Sequence, residues 1–143
     1  NDKKEIAVDY RNLANLTFSN GDRKEAEKLY LKALDLTREI EDHQGAGQDL
    51  TYLGNLKFKD FLFEEAENYF NQASSCFEQT KSWTSLIQFY LTVARMEILV
   101  SRYDPADEFI TKARKIAKDL GDPEQIMKAL QDIDKFKDSV DKK

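Results

Sequence analysis

Apolar residues recur along the chain at spacings of three and four, the period of a helix that buries one face. Turn signals interrupt these runs: Asn20-Gly21-Asp22 ends one helix and caps the next, Asp104-Pro105 sets a capping residue before a proline at the first helical position, and Gly121-Asp122-Pro123 stops another run. The pattern predicts helices over 4–19, 23–41, 45–60, 64–80, 84–101, 105–120 and 124–140. The turn near residue 61 lacks comparable punctuation.

A shift of 40 residues lays the sequence on itself. Ala26, Ala66 and Ala106 coincide, as do Ala33, Ala73 and Ala113, and Tyr30 falls on Phe70 and Ile110. The same shift aligns Leu13 with Leu53 and Val93, Leu16 with Leu56 and Met96, and Phe18 with Phe58 and Ile98. A fixed period of this size marks stacked units, none of which can bury its apolar face alone. A generic antiparallel bundle would need no common register. Each copy holds two helices, so the repeating unit is a helical hairpin, expected at about 6–45, 46–85 and 86–122 of a single array. Ala14, Gly54 and Ala94 on first helices are set opposite Ala26, Ala66 and Ala106 on second helices, where small side chains admit close crossing. Over 123–140, Ile126, Met127, Leu130, Ile133, Phe136 and Val140 form one stripe of a capping helix. Asp134 stands there where the other copies carry Ala or Gly, so no further hairpin is expected behind it, and Asp141-Lys142-Lys143 is expected to fray.

Tyr10, Leu13, Ala14, Ala26, Tyr30 and Ala33, then Leu50, Leu53, Gly54, Ala66, Phe70 and Ala73, and more weakly Tyr90, Val93, Ala94, Ala106, Ile110 and Ala113, resemble the tetratricopeptide repeat. The likeness covers about 6–140, and the period resembles the 40-residue variant of kinesin light chains, spindle-orientation adaptors and bacterial sensor proteins. It implies an all-α, right-handed solenoid of three hairpins plus a capping helix, seven helices in all. Thr17, Lys57 and Glu97 depart from it where an aromatic or large apolar residue is common, with Leu16, Leu56 and Met96 beside them to take over packing. Arg23 stands where Phe63 and Tyr103 keep the family aromatic.

In the family the first helices line a concave groove. The resemblance then places Val8, Arg11, Asn15, Phe18 and Ser19 there from the first copy, Gln48, Thr51, Asn55, Phe58 and Lys59 from the second, and Gln88, Leu91, Arg95, Ile98 and Leu99 from the third. Asn15 and Asn55 look like the family's groove asparagines, whose carboxamides both donate and accept and so can clamp a peptide backbone. Arg95 takes that place in the third copy, where a guanidinium can grip a carboxylate bidentately. This surface holds three cations and no carboxylate, which points to an extended peptide bearing acidic groups or a free carboxylate. Phe18, Phe58 and Ile98 are also core candidates by their helical spacing.

Composition narrows the function. The chain has 143 residues and a formal net charge of −5, which gives no support to nucleic-acid or anionic-membrane binding. No run reaches the roughly 18 apolar residues of a membrane span, and Asn1-Asp2-Lys3-Lys4-Glu5 is too polar for a signal peptide. The chain opens on Asn1 rather than Met, as a piece of a longer protein or a trimmed chain would. Cys76 has no cysteine to pair with inside the chain, which suits a reducing cytoplasm, and it reads as a core residue. His43 sits in an inter-repeat turn without a second His or a Cys nearby, so no metal is expected. No phosphate loop or paired carboxylates suggest a cofactor or an enzyme. Trp83 reads as a packing anchor, and Phe61 and Leu62 either form an exposed apolar contact or fold back onto the next hairpin. Three readings follow: a scaffold for a protein or peptide partner, a sensor or regulatory segment of a larger signalling or transcription-regulating protein, and self-association, with arrays stacking end to end or pairing through Phe61 and Leu62.

Overall fold

The computed structural model describes residues 2–141, and all seven elements among them are α-helices. They are α1 (Asp2–Ser19), α2 (Arg23–Glu39), α3 (His43–Lys59), α4 (Phe63–Thr80), α5 (Trp83–Leu99), α6 (Tyr103–Asp119) and α7 (Glu124–Asp141). Each lies within a few residues of its predicted span. Lys142 and Lys143, expected to fray, lie outside the described residues, while the helix itself continues to Asp141.

The turns share one design. Gly21, Glu41, Phe61, Lys81, Ser101 and Gly121 all have positive φ, at intervals of 20 residues, so the backbone repeats at half the period of the sequence. Around Gly21, its N–H donates to the Phe18 carbonyl at 3.0 Å and the Asp22 N–H donates to Thr17 at 3.1 Å. Around Phe61, its N–H donates to Phe58 at 3.0 Å and Leu62 donates to Lys57 at 2.9 Å. This pair of bonds satisfies helix-end carbonyls and demands a left-handed residue, the conformation glycine adopts most readily. The punctuation missing near residue 61 is therefore supplied by Phe61 itself, at φ 61°. Asp22 and Asp42 also cap, accepting from the Glu25 and Gly45 N–H groups at 3.2 and 3.0 Å, whereas Leu62 in the equivalent position offers no side-chain cap.

Contacts divide the chain into two compact units that meet at Lys81 and Ser82 in sequence. In the first, α1 pairs with α2 and α3 with α4, while α2 covers one face of α3. Leu50, Leu53, Leu56 and Phe70 are fully buried with the small residues Ala14, Ala26 and Ala66. At Gly54 the close neighbour is the Phe70 ring: a Cβ there would stand 2.5 Å from it. Gly47 likewise makes room for Phe77. Leu13 and Leu16, which share a register with buried Leu53 and Leu56, are exposed on α1. Cys76 is half-buried rather than core, and burial pushes its thiol pKa up.

The three positions lacking the expected large residue find three different solutions. Thr17 donates to the Leu13 carbonyl at 2.7 Å. Lys57 reaches Glu27 of α2 at 3.0 Å and Glu65 of α4 at 3.6 Å, and Glu97 is fully buried against Arg102 at 2.8 Å. Arg23, where an aromatic was expected, pairs instead with Asp60 in the α3–α4 turn.

The second unit buries Leu86, Ile87, Val93 and Ile98 of α5 with Ala106, Ala113 and Ile110 of α6 and Leu130 and Ile133 of α7. Asp134 of α7 pairs with Arg114, and Lys137 holds Asp107 at 2.7 Å. The latter pair repeats Lys57–Glu27 at an offset of 80 residues, so α7 meets α6 in the register in which α3 meets α2. Trp83, expected to anchor the packing, keeps substantial exposure at the start of α5.

Candidate functional site

Helical spacing places Arg11, Asn15 and Phe18 on one stripe of α1, and Gln48, Thr51, Asn55 and Lys59 on one stripe of α3. The two helices are joined where these stripes start. Arg11 donates from Nε to Asp49 Oδ1 at 2.6 Å and from Nη2 to the Gly45 carbonyl at 3.3 Å. Thr37 of α2 donates to the other Asp49 oxygen at 3.1 Å, so one carboxylate ties three helices together. Asp49 is fully buried; burial raises its pKa, and the Arg11 and Thr37 bonds offset only part of that.

Arg11 is thus a buried clamp, and the expectation of a cationic surface free of carboxylates is corrected at this position. Phe58 is also buried, edge-on to Phe63 with centroids 4.9 Å apart, and in the second unit Leu91 and Ile98 are core residues. The remaining positions stay accessible. Val8, Ser19, Gln48 and Lys59 are exposed; Asn15, Phe18, Thr51 and Asn55 are partly so. In the second unit Gln88, Arg95 and Leu99 are exposed, with the Arg95 guanidinium 5.1 Å from the Phe136 ring centre.

Behind the first-unit stripe sits an aromatic pair. Tyr30 and Tyr52 stack with centroids 5.3 Å apart and planes 13° from parallel, and the Tyr30 hydroxyl donates to Asn15 Oδ1. Burial first, then the neighbouring Tyr52 and Asp49, push the Tyr30 pKa up to about 12, so its proton is held for this bond. Asn15 is therefore gripped by its oxygen, leaving the amide as its donor end. Lys57, beside Asn55 in sequence, loses some preference for charge through burial, but Glu27 and Glu65 more than restore it and raise its pKa.

Sequence reasoning missed Asp49, Thr37 and Tyr52. A signal existed for Asp49: it lies three residues after Ala46 and four before Leu53, on the stripe that α3 buries, where a carboxylate demands a partner. Phe61 and Leu62 are exposed at the α3–α4 turn, with Phe61 edge-on to Phe63 at 6.0 Å.

The profile of the tetratricopeptide repeat matches residues 5–79, more than half of the chain. The protein belongs to the tetratricopeptide repeat family. The tetratricopeptide match spans most of α1, all of α2 and α3, and nearly all of α4. Comparison with curated proteins gives no match. Tetratricopeptide repeats form non-enzymatic helical scaffolds that mediate protein–protein interactions. Among the described residues, no helix is long and apolar enough to cross a membrane, and no group of three or more His, Cys, Asp or Glu could hold a metal ion.

Proposed function

We propose that the first unit is a peptide-binding scaffold, holding an extended segment of a partner protein against Asn15, Phe18, Gln48, Thr51, Asn55 and Lys59. The observation that carries this reading is the accessible asparagine pair on two helices locked together by Arg11 and Asp49. A rigid frame reduces the ordering cost of binding, and carboxamides suit the alternating donors and acceptors of an extended backbone. Lys59 gives this stripe a preference for acidic groups, while Arg11 has spent its charge on Asp49. In the second unit Arg95 presents guanidinium edges to a carboxylate while its face rests on Phe136.

Fluorescence anisotropy with extended, labelled peptides tests the proposal, comparing acidic with neutral sequences of equal length. Binding of the acidic set should weaken at least about tenfold in Asn15→Ala/Asn55→Ala, corresponding to roughly 1.4 kcal/mol, with unchanged circular dichroism. Equal binding by the folded double variant would reject the groove.

A further inference from the structure

The two groove asparagines differ in what stands behind them. Asn15 of α1 and Asn55 of α3 share one register, and the second helix of each hairpin sets an aromatic ring at the matching positions 30 and 70. In the first hairpin that residue is Tyr30, whose hydroxyl donates to Asn15 Oδ1. In the second it is Phe70, which is fully buried, lies against Gly54 next to Asn55 and has no hydroxyl to offer.

The direction of the Tyr30 bond follows from burial. Tyr30 is 2 % exposed, so its hydroxyl proton needs an acceptor inside the fold, and among the described residues Asn15 Oδ1 is the acceptor it finds. Turning the carboxamide over would bring a donor, Nδ2, to the phenol and orphan the buried proton, which disfavours that orientation. The ring itself is held by its stack on Tyr52, with centroids 5.3 Å apart, and the phenol stays protonated to about pH 12.

We propose that Tyr30 is a positioning residue that sets what the groove accepts: it fixes Asn15 as a one-way donor, so the partner must bring an acceptor, a backbone carbonyl or a carboxylate oxygen, to that point. Asn55, backed by a ring without a hydroxyl, keeps both ends and meets a backbone N–H or a carbonyl by turning its carboxamide over. The groove thus reads polarity at one place and tolerates either at the other, which ties the register of an extended segment to Asn15. An amide already turned outward spends no binding energy on choosing its orientation. This inference rests on the groove reading above and goes beyond it by assigning selectivity to a residue buried on α2, behind the contact surface.

Two measurements test it. In the unliganded chain, proton NMR should show the Tyr30 hydroxyl as a slowly exchanging resonance that Tyr30→Phe deletes. That resonance should be lost in Asn15→Ala and kept in Asn15→Asp, whose carboxylate still accepts the proton. A hydroxyl proton unprotected in the parent, or still protected in Asn15→Ala, would overturn the proposal. With labelled acidic peptides, Tyr30→Phe should weaken binding about two- to fivefold in the parent and in Asn55→Ala, and cause no further loss in Asn15→Ala. Phe70 shows that the hairpin accommodates phenylalanine at this position, and circular dichroism checks that the variant is folded. An equal loss in the Asn15→Ala background would also overturn the proposal, because Tyr30 would then act through the fold rather than through Asn15. Absence of peptide binding to the parent would remove the groove reading and the selectivity with it, while the hydroxyl resonance still decides the orientation of Asn15 on its own.

Discussion

Replacing Arg11 with alanine would strip the compensating charge from a carboxylate that has no route to solvent. Asp49 would lose its 2.6 Å bond to Arg11 Nε and keep the 3.1 Å bond from Thr37, while the Gly45 carbonyl would lose its 3.3 Å contact. Removing one member of a buried ion pair costs about 3–5 kcal/mol. Asp49→Ala should cost less, about 1–3 kcal/mol, because Arg11 retains slight exposure and its long stem can carry the guanidinium to water. Replacing both together, as Arg11→Met/Asp49→Leu, should return to within about 1 kcal/mol of the parent. The pH dependence supplies a second handle. Burial already raises the Asp49 pKa in the folded state, so its stabilising contribution is complete below the ordinary carboxylate range and declines as pH climbs through the raised value. Without Arg11 the folded pKa rises further, and the Arg11→Ala variant should recover stability as pH falls from about 7 to about 5. Urea unfolding followed by far-ultraviolet circular dichroism at both pH values measures all three variants. An Arg11→Ala loss below about 1 kcal/mol, or one equal at both pH values, would refute the reasoning that Asp49 is held ionised by this partner.

Other outcomes follow from the same packing. Gly54→Ala should destabilise by about 1–3 kcal/mol despite its better helix propensity, since the added Cβ meets the fully buried Phe70 ring at 2.5 Å; Phe70→Leu should relieve part of the clash in a double-mutant cycle. Phe61→Gly should stabilise the chain by roughly 1 kcal/mol in thermal unfolding, because Phe61 holds φ 61° while 73 % exposed; a loss of stability would mean its edge contact with Phe63 outweighs the backbone strain. Ultraviolet titration should show a tyrosine step near pH 12 that Tyr30→Phe deletes. Because the folded pKa of Tyr30 lies above its unfolded value of about 10, its contribution is full below about pH 10 and lost as pH rises through about 12.

The helical hairpins were legible because their information is local and repeated. Spacings of three and four residues define buried faces, and the recurring alanines at 26, 66 and 106 give the three copies a common frame. The turns were legible where glycine or a capping aspartate marks them, as at Gly21-Asp22, and obscure where Phe61 and Leu62 serve the same backbone geometry with atypical residues. Which candidate residues keep accessible side chains was not legible in the sequence. Arg11 has a surface-type side chain, yet it is buried by a partner that lies 38 residues away on another helix.

By itself, then, the sequence determined the number of helices, their lengths and their repeat, since periodicity and small residues act within a turn or two of chain. Only the tertiary structure decided which charges remain available and which apolar residues are covered. Leu13 and Leu53 share one register, but α2 lies over Leu53 and no described helix lies over Leu13. Lys57, Glu97 and Arg11 look alike as charged residues on helices, and their fates depend on whether an opposite charge arrives within bonding distance: Glu27 and Glu65, Arg102, and Asp49 respectively. Burial and ion pairing are properties of the meeting of two surfaces, and a one-dimensional pattern specifies each surface without specifying what it meets.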